Sequence, residues 1–194
     1  MKLPLFPLDT VLFPGCMLDL QIFEARYLDM VSRCLKAGHG FGVVHILEGR
    51  EVGLAATRFA GIGCEALIRD WQQRPNGLLG IRVEGGRRFD VVASEVQPDQ
   101  LTLAEIDWRH EPDERPLNER HAELATLREA LGQHPMVEAL GMGAMARGQR
   151  ALAYELGYLL PFQAQQKLEL LRLDDPQRQL DCIQLWLEQL QGEQ

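Results

Sequence analysis

Within residues 3–35, LPLFPLDTVLFPGCMLDLQIFEARYLDMVSRCL, the spacing of apolar side chains changes from two to about 3.6, so two strands must hand over directly to a helix. Leu3–Leu8 is a short apolar run whose prolines, Pro4 and Pro7, cannot donate to a ladder. It predicts a strand at a sheet edge or with a sharp bend, in preference to a Pro-x-x-Pro ligand. At Phe13-Pro14-Gly15 proline fixes one φ and glycine is free to take a positive one, so the chain turns a corner before Met17, Leu18, Leu20 and Ile22 form a second strand. From Phe23 onward Phe23, Tyr27, Met30, Val31, Cys34 and Leu35 share one helical face, with Glu24, Asp29, Arg33 and Lys36 on the others. Gly38 and Gly40 end this helix, and Phe41–Ile46 returns as a buried strand.

Residues 41–107 alternate apolar runs with the turn signals Glu48-Gly49-Arg50, Pro75-Asn76-Gly77, Gly85-Gly86 and Pro98-Asp99. This predicts an antiparallel meander, with further strands at 52–57, 60–70, 78–84, 87–96 and 101–107, enough to close or nearly close a small barrel. Residues 108–118, WRHEPDERPLN, mark a change to helical spacing and divide the chain into expected subdomains 1–112 and 113–194. Beyond them Leu117, Leu124, Leu127 and Leu131 share a face, as do Val137, Leu140 and Ala144, then Leu152, Leu156, Leu159 and Leu160. Pro161 closes that third helix, Ala164, Leu168 and Leu171 continue on a fourth, and Asp175 caps a fifth that starts at Pro176 and carries Leu180, Ile183, Leu187 and Leu190.

The formal net charge of -8 is spread over both parts: residues 1–112 hold 12 basic and 15 acidic side chains, residues 113–194 hold 8 and 13. Neither part has the basic excess that tight phosphate binding requires, so nucleic acid is not the expected partner. No apolar run reaches the roughly 18 residues of a membrane span. Phe13-Pro14-Gly15-Cys16 has a superficial lipoprotein-signal look, but Pro4, Pro7, Asp9 and Pro14 interrupt any apolar helix there, and a cytoplasmic protein is expected. Cys16, Cys34, Cys64 and Cys182 lack CxxC spacing and read as small hydrophobes, not as a disulfide framework or zinc site.

Phe23-Glu24-Ala25-Arg26-Tyr27, Gly42-Val43-Val44, Glu51-Val52-Gly53 and Val83-Glu84-Gly85-Gly86-Arg87-Arg88-Phe89 resemble the amino-terminal, substrate-binding domain of ATP-dependent Lon proteases. In the helical part Leu159-Leu160-Pro161-Phe162, Lys167-Leu168-Glu169-Leu170-Leu171 and Asp174-Asp175-Pro176 continue the resemblance, which is weakest over residues 108–150. It implies an α+β fold, a PUA-like pseudo-barrel of about six antiparallel-type strands with one helix, followed by a helical bundle. It also implies a stand-alone, non-catalytic module that captures unfolded or extended polypeptide, acting as an adaptor, a holdase or a regulator beside a protease or chaperone. A strand edge, or an apolar groove between barrel and bundle, is the expected means. The contact candidates are Phe13, Phe23, Arg26, Tyr27 and Trp71.

The chemistry of the rest of a Lon protease is not visible. A P-loop needs GxxxxGK[ST], and Gly141-Met142-Gly143 with Gly148 lacks the lysine. Ser32 and Ser94 are the only serines and lie in a helix and a strand, so a lysine-activated nucleophile has no evident setting. His39, His45, His110, His121 and His134 include no HExxH motif, and no metal or cofactor is expected. Asp174-Asp175 and Glu193 are carboxylates of a kind that does acid-base work, but beside a proline-started helix Asp174-Asp175 reads as a cap and dipole partner. Two alternatives stay open: RNA binding through Arg87-Arg88 on a solvated turn, and, with less support, a small hydrolase. Trp186 is expected in the core, with Trp71 and Trp108 as exposed contacts.

Overall fold

Phe13-Pro14-Gly15-Cys16 forms a tight turn in which the Cys16 N–H donates to the Phe13 carbonyl at 3.1 Å and Gly15 takes φ 76°. Only glycine adopts that φ without cost in such a turn. Around it, in a computed structural model that describes residues 1–144 and 146–192, the chain forms one unit from Met1 to Arg109 and a second from His110 onward. Glu193 lies outside the described residues.

The first unit contains β1 (Lys2–Leu8), β2 (Met17–Ile22), α1 (Ala25–Ala37), β3 (Phe41–Glu48), β4 (Arg58–Gln73), β5 (Leu79–Val96) and β6 (Thr102–Trp108). The sheet order is β2-β5-β4-β3-β1-β6, and β6 pairs back with β5. Pairing is antiparallel except between β1 and β3, which run parallel with Leu5 opposite Gly42 and Leu8 opposite His45. Five strands therefore make a ring and β2 extends it as an outer strand on β5. The ring is partial: β5 has β4 and β6 on its two sides together only around Phe89 and Asp90.

Two expectations change here. Residues 52–57 form bends, not a strand. Gly85-Gly86 is no turn, and 79–96 is one continuous strand. The glycines serve close approach. Gly85 donates its N–H to the Cys16 carbonyl and accepts from the Gly15 N–H, both at 2.8 Å, and a Cβ at Gly85 would lie 2.0 Å from the Phe13 carbonyl oxygen. The Phe13 corner thus rests directly on the middle of β5. Inside the ring Phe89 is fully buried among Leu3, Leu5, Val44, Ala104 and Ile106. Cβ atoms at Gly42 and Gly63 would come within 2.7 and 2.6 Å of its ring, so those glycines make its space.

Helix α1 buries Arg26, Tyr27, Met30, Val31 and Cys34, and Gly38 ends it with φ 68°. Phe23 precedes the helix and is exposed, and Leu35 is exposed as well, so the apolar face is narrower than its periodicity suggests.

The second unit holds a single 3-10 turn (Glu119–His121) and helices α2 (Ala122–Gly132), α3 (Pro135–Ala139), α4 (Gln149–Leu159), α5 (Ala164–Arg172) and α6 (Pro176–Gly192). Leu117 lies outside α2, whose buried positions are Leu124, Arg128 and Gly132. Arg128 donates from Nε to Glu155 of α4 and from Nη2 to the Met142 carbonyl and, at 3.1 Å, to the Ala144 carbonyl. Those hydrogen bonds satisfy Nε and Nη2 of the buried guanidinium, while Nη1 is buried without a hydrogen-bond partner among the described residues. Helix α3 stops before Ala144, where Gly141 takes φ 76°. Helix α6 starts as expected: the Gln177 N–H donates to Asp175 Oδ1 at 3.1 Å and Pro176 opens the helix. Trp186 is only half-buried, its ring edge-on to Phe162 at 5.2 Å.

Candidate functional site

β2 has β5 on one side, and among the described residues no strand pairs with its other edge. Beside that edge lies a depression of about 140 Å³ lined by Asp19, Leu20, Gln21 and Ile22 of β2, Phe6 and Leu8 of β1, the corner residues Phe23 and Glu24, Tyr27 of α1, and Glu51 and Val52. Successive side chains of a strand point to opposite faces. Four consecutive β2 residues in one depression place it along the strand and not over a single face of it. Its apolar members come from three stretches separated in sequence, Phe6–Leu8, Leu20–Tyr27 and Val52.

A buried arginine organises one wall. Arg26 donates from Nη1 to the Gln100 carbonyl at 2.8 Å and from Nη2 to Glu24 at 3.1 Å. Gln100, in the turn between β5 and β6, has φ 68°, an unusual value for a residue other than glycine. Its side-chain oxygen accepts from the Ala55 N–H at 3.4 Å, and Glu24 Oε1 accepts from the Gly53 N–H at 3.2 Å. Loop 49–57 is thereby tied to the β2–α1 corner and to the β5–β6 turn. The loop also presents Val52 and Leu54 to solvent.

The five sequence-derived contact candidates fall into four places. Phe23, 53% exposed, and Tyr27, whose ring is largely covered, both line the β2 groove. Phe13 is fully buried at the corner, and Arg26 is buried behind the groove, where it holds the wall. Trp71, 58% exposed, lies in a second, more polar depression with Asp19, Asp70, Gln72, Arg74 and Arg82. Sequence reasoning missed Phe6, Leu8, Leu20, Glu51 and Val52 as a group. Nothing in their spacing signals that they converge, although Glu51-Val52-Gly53 is among the family-like strings.

The basic turn required by the RNA alternative is absent, because Arg87 and Arg88 lie within β5. Arg88 is 0% exposed, and Arg87 stacks 4.0 Å above the Trp108 ring and lies 4.0 Å from Glu65. Trp108, expected to be exposed, is half-buried and meets Phe89 edge-on at 6.0 Å. Among the described residues no group of three or more His, Cys, Asp or Glu is arranged to hold a metal, and no helix is long and apolar enough to cross a membrane.

A partial β-ring with an edge strand beside an apolar groove, carried in one chain with a helical unit, defines an α+β fold. Residues 2–189 match the family model of the ATP-dependent protease La (LON) substrate-binding domain, and the chain belongs to that family. The crystal structure of a Lon N-terminal domain protein from Xanthomonas campestris is similar, with 35% identity, a TM-score of 0.78 and coverage of 96% of this chain and 98% of that one. The N-terminal domain of the Mycobacterium avium complex Lon protease shares the fold at 20% identity, with a TM-score of 0.65 over 96% of this chain and 97% of that one.

Proposed function

We propose that this chain is a non-catalytic module that binds unfolded or extended polypeptide by adding a strand to the free edge of β2. The observation that carries this reading is the line of four consecutive β2 residues along one apolar groove. A peptide laid there gains main-chain hydrogen bonds from the edge and places alternate side chains against Phe6, Phe23, Tyr27 and Val52. Family membership supports protein substrates as the ligand class. An adaptor, holdase or regulator of proteolysis follows from that binding, with a protease or chaperone as onward partner. Four cysteines outside any disulfide, three of them buried, fit a reducing compartment such as the cytoplasm.

The test is fluorescence anisotropy of the purified protein with a labelled unfolded polypeptide, a folded control and a single-stranded RNA at low and moderate salt. Binding confined to the unfolded chain is expected. A peptide whose backbone nitrogens are methylated at alternate positions should bind weakly, because it cannot complete a ladder. Equal binding of methylated and unmethylated peptides would rule out strand addition, and binding confined to RNA would rule out polypeptide capture.

A further inference from the structure

Every charged side chain lining the β2 groove is a carboxylate: Asp19, Glu24 and Glu51. Two of them already have an arginine. Arg82 donates to Asp19 at 2.7 Å from Nε and 2.8 Å from Nη2, and Arg26 donates to Glu24 at 3.1 Å. Glu51 has no cationic partner among the described residues; its Oε1 accepts the Asp9 backbone N–H at 2.7 Å. That bond orients the carboxylate without cancelling its charge. Next to apolar walls, where solvent screens less than in bulk water, a fixed uncompensated carboxylate attracts a cation and opposes an anion.

We propose that the groove selects extended segments in which apolar residues alternate with lysine or arginine, and that Glu51 is the residue that reads the positive charge. This rests on the polypeptide-capture reading and adds the class of segment captured. A second copy of this chain is a poor occupant. Its own edge strand, MLDLQI, carries Asp19 and no basic residue, so pairing two β2 edges would bring Asp19, Glu24 and Glu51 of both copies together.

The experiment uses the whole chain and three labelled peptides whose six-residue apolar-alternating core matches the length of β2. The polar positions are all lysine, all serine or all glutamate. The lysine peptide should bind tightest, roughly twofold to fivefold better than the serine peptide, as for a partly solvated ion pair. That margin should shrink with added salt and vanish in Glu51→Gln, whose amide oxygen still accepts from Asp9. Equal affinity for all three peptides, or preference for glutamate, overturns the charge selection and leaves polypeptide capture standing. A lysine preference retained in Glu51→Gln overturns the assignment to Glu51. No binding by any peptide overturns capture itself, and this inference with it.

Discussion

Tyr27 of α1 stacks on Phe6 of β1 with ring centroids 4.0 Å apart and planes inclined by 23°. Phe6 in turn meets Phe41 at 6.0 Å, and the Arg26 guanidinium lies 4.6 Å from the centre of the Tyr27 ring. One tyrosine thereby joins the helix to two parallel strands and forms part of the groove floor. Burial pushes its phenol up to about 12, so the ring is neutral throughout the ordinary pH range. Tyr27→Ala should cost on the order of 3–5 kcal/mol, read from urea unfolding curves. An unchanged midpoint would mean that helix and strands are not joined through this ring.

Gly85 and Gly61 should respond in opposite directions to the same substitution. A Cβ at Gly85 would lie 2.0 Å from the Phe13 carbonyl oxygen, whereas one at Gly61 meets nothing within 4 Å. Gly85→Ala must push the Phe13 corner off β5 and should cost upwards of about 3 kcal/mol. Gly61→Ala should be neutral or stabilising by about 0.5–1 kcal/mol, because alanine loses less backbone freedom on folding. Thermal melts of the two variants check both signs.

Phe23 and Trp71 are comparably exposed but line different depressions. Serine at either position should change stability by no more than about 0.5 kcal/mol. Only Phe23→Ser should weaken anisotropy-detected binding of an unfolded polypeptide. If Trp71→Ser weakens it instead, the contact surface is the hairpin end of β4 and β5, not the β2 edge.

Hydrogen bonds from Arg82 hold the Asp19 carboxyl below its ordinary value of 3.8. A folded-state value below the unfolded one means that the unfolded chain binds the proton more readily. The resulting stabilisation is fully present above the ordinary value and is lost as pH falls through the lower folded one. Asp19→Asn should therefore flatten the loss of stability on acidification from about pH 4 downward. Denaturant midpoints measured across that range in both proteins give the comparison, and parallel curves would show that the pair does not contribute.

The succession of β1, corner, β2, α1 and β3 was legible because each switch is marked locally, by proline, by a glycine with positive φ, or by a change of apolar period. What escaped the sequence depends on distant partners. Gly85-Gly86 has the composition of a turn, yet Gly85 serves the approach of a corner about seventy residues earlier in the chain. Nothing local in the sequence marks Arg26, Arg88 and Arg128 for burial, which depends on groups supplied by remote segments, such as the Gln100 carbonyl for Arg26 and Glu155 for Arg128. The groove shows the same division. Phe23 and Tyr27 could be picked out as aromatic residues at a strand–helix junction, whereas Val52 and Glu51 reach it on a loop held by Glu24, Gln100 and the Asp9 N–H.

Leu5–Leu8 of β1 align with Gly42–His45, whereas Lys2–Leu5 wait for Thr102–Glu105. During synthesis the first strand gains one neighbour early and the other only after roughly sixty more residues, an interval of roughly 3–12 s at ordinary elongation rates. Throughout it one flank of the nascent sheet, with Leu3 still to be covered, is open to misplaced pairing. β1 precedes both of its partners yet is fully enclosed only by the later one, so aggregation during translation should be sensitive to changes that delay or weaken β6.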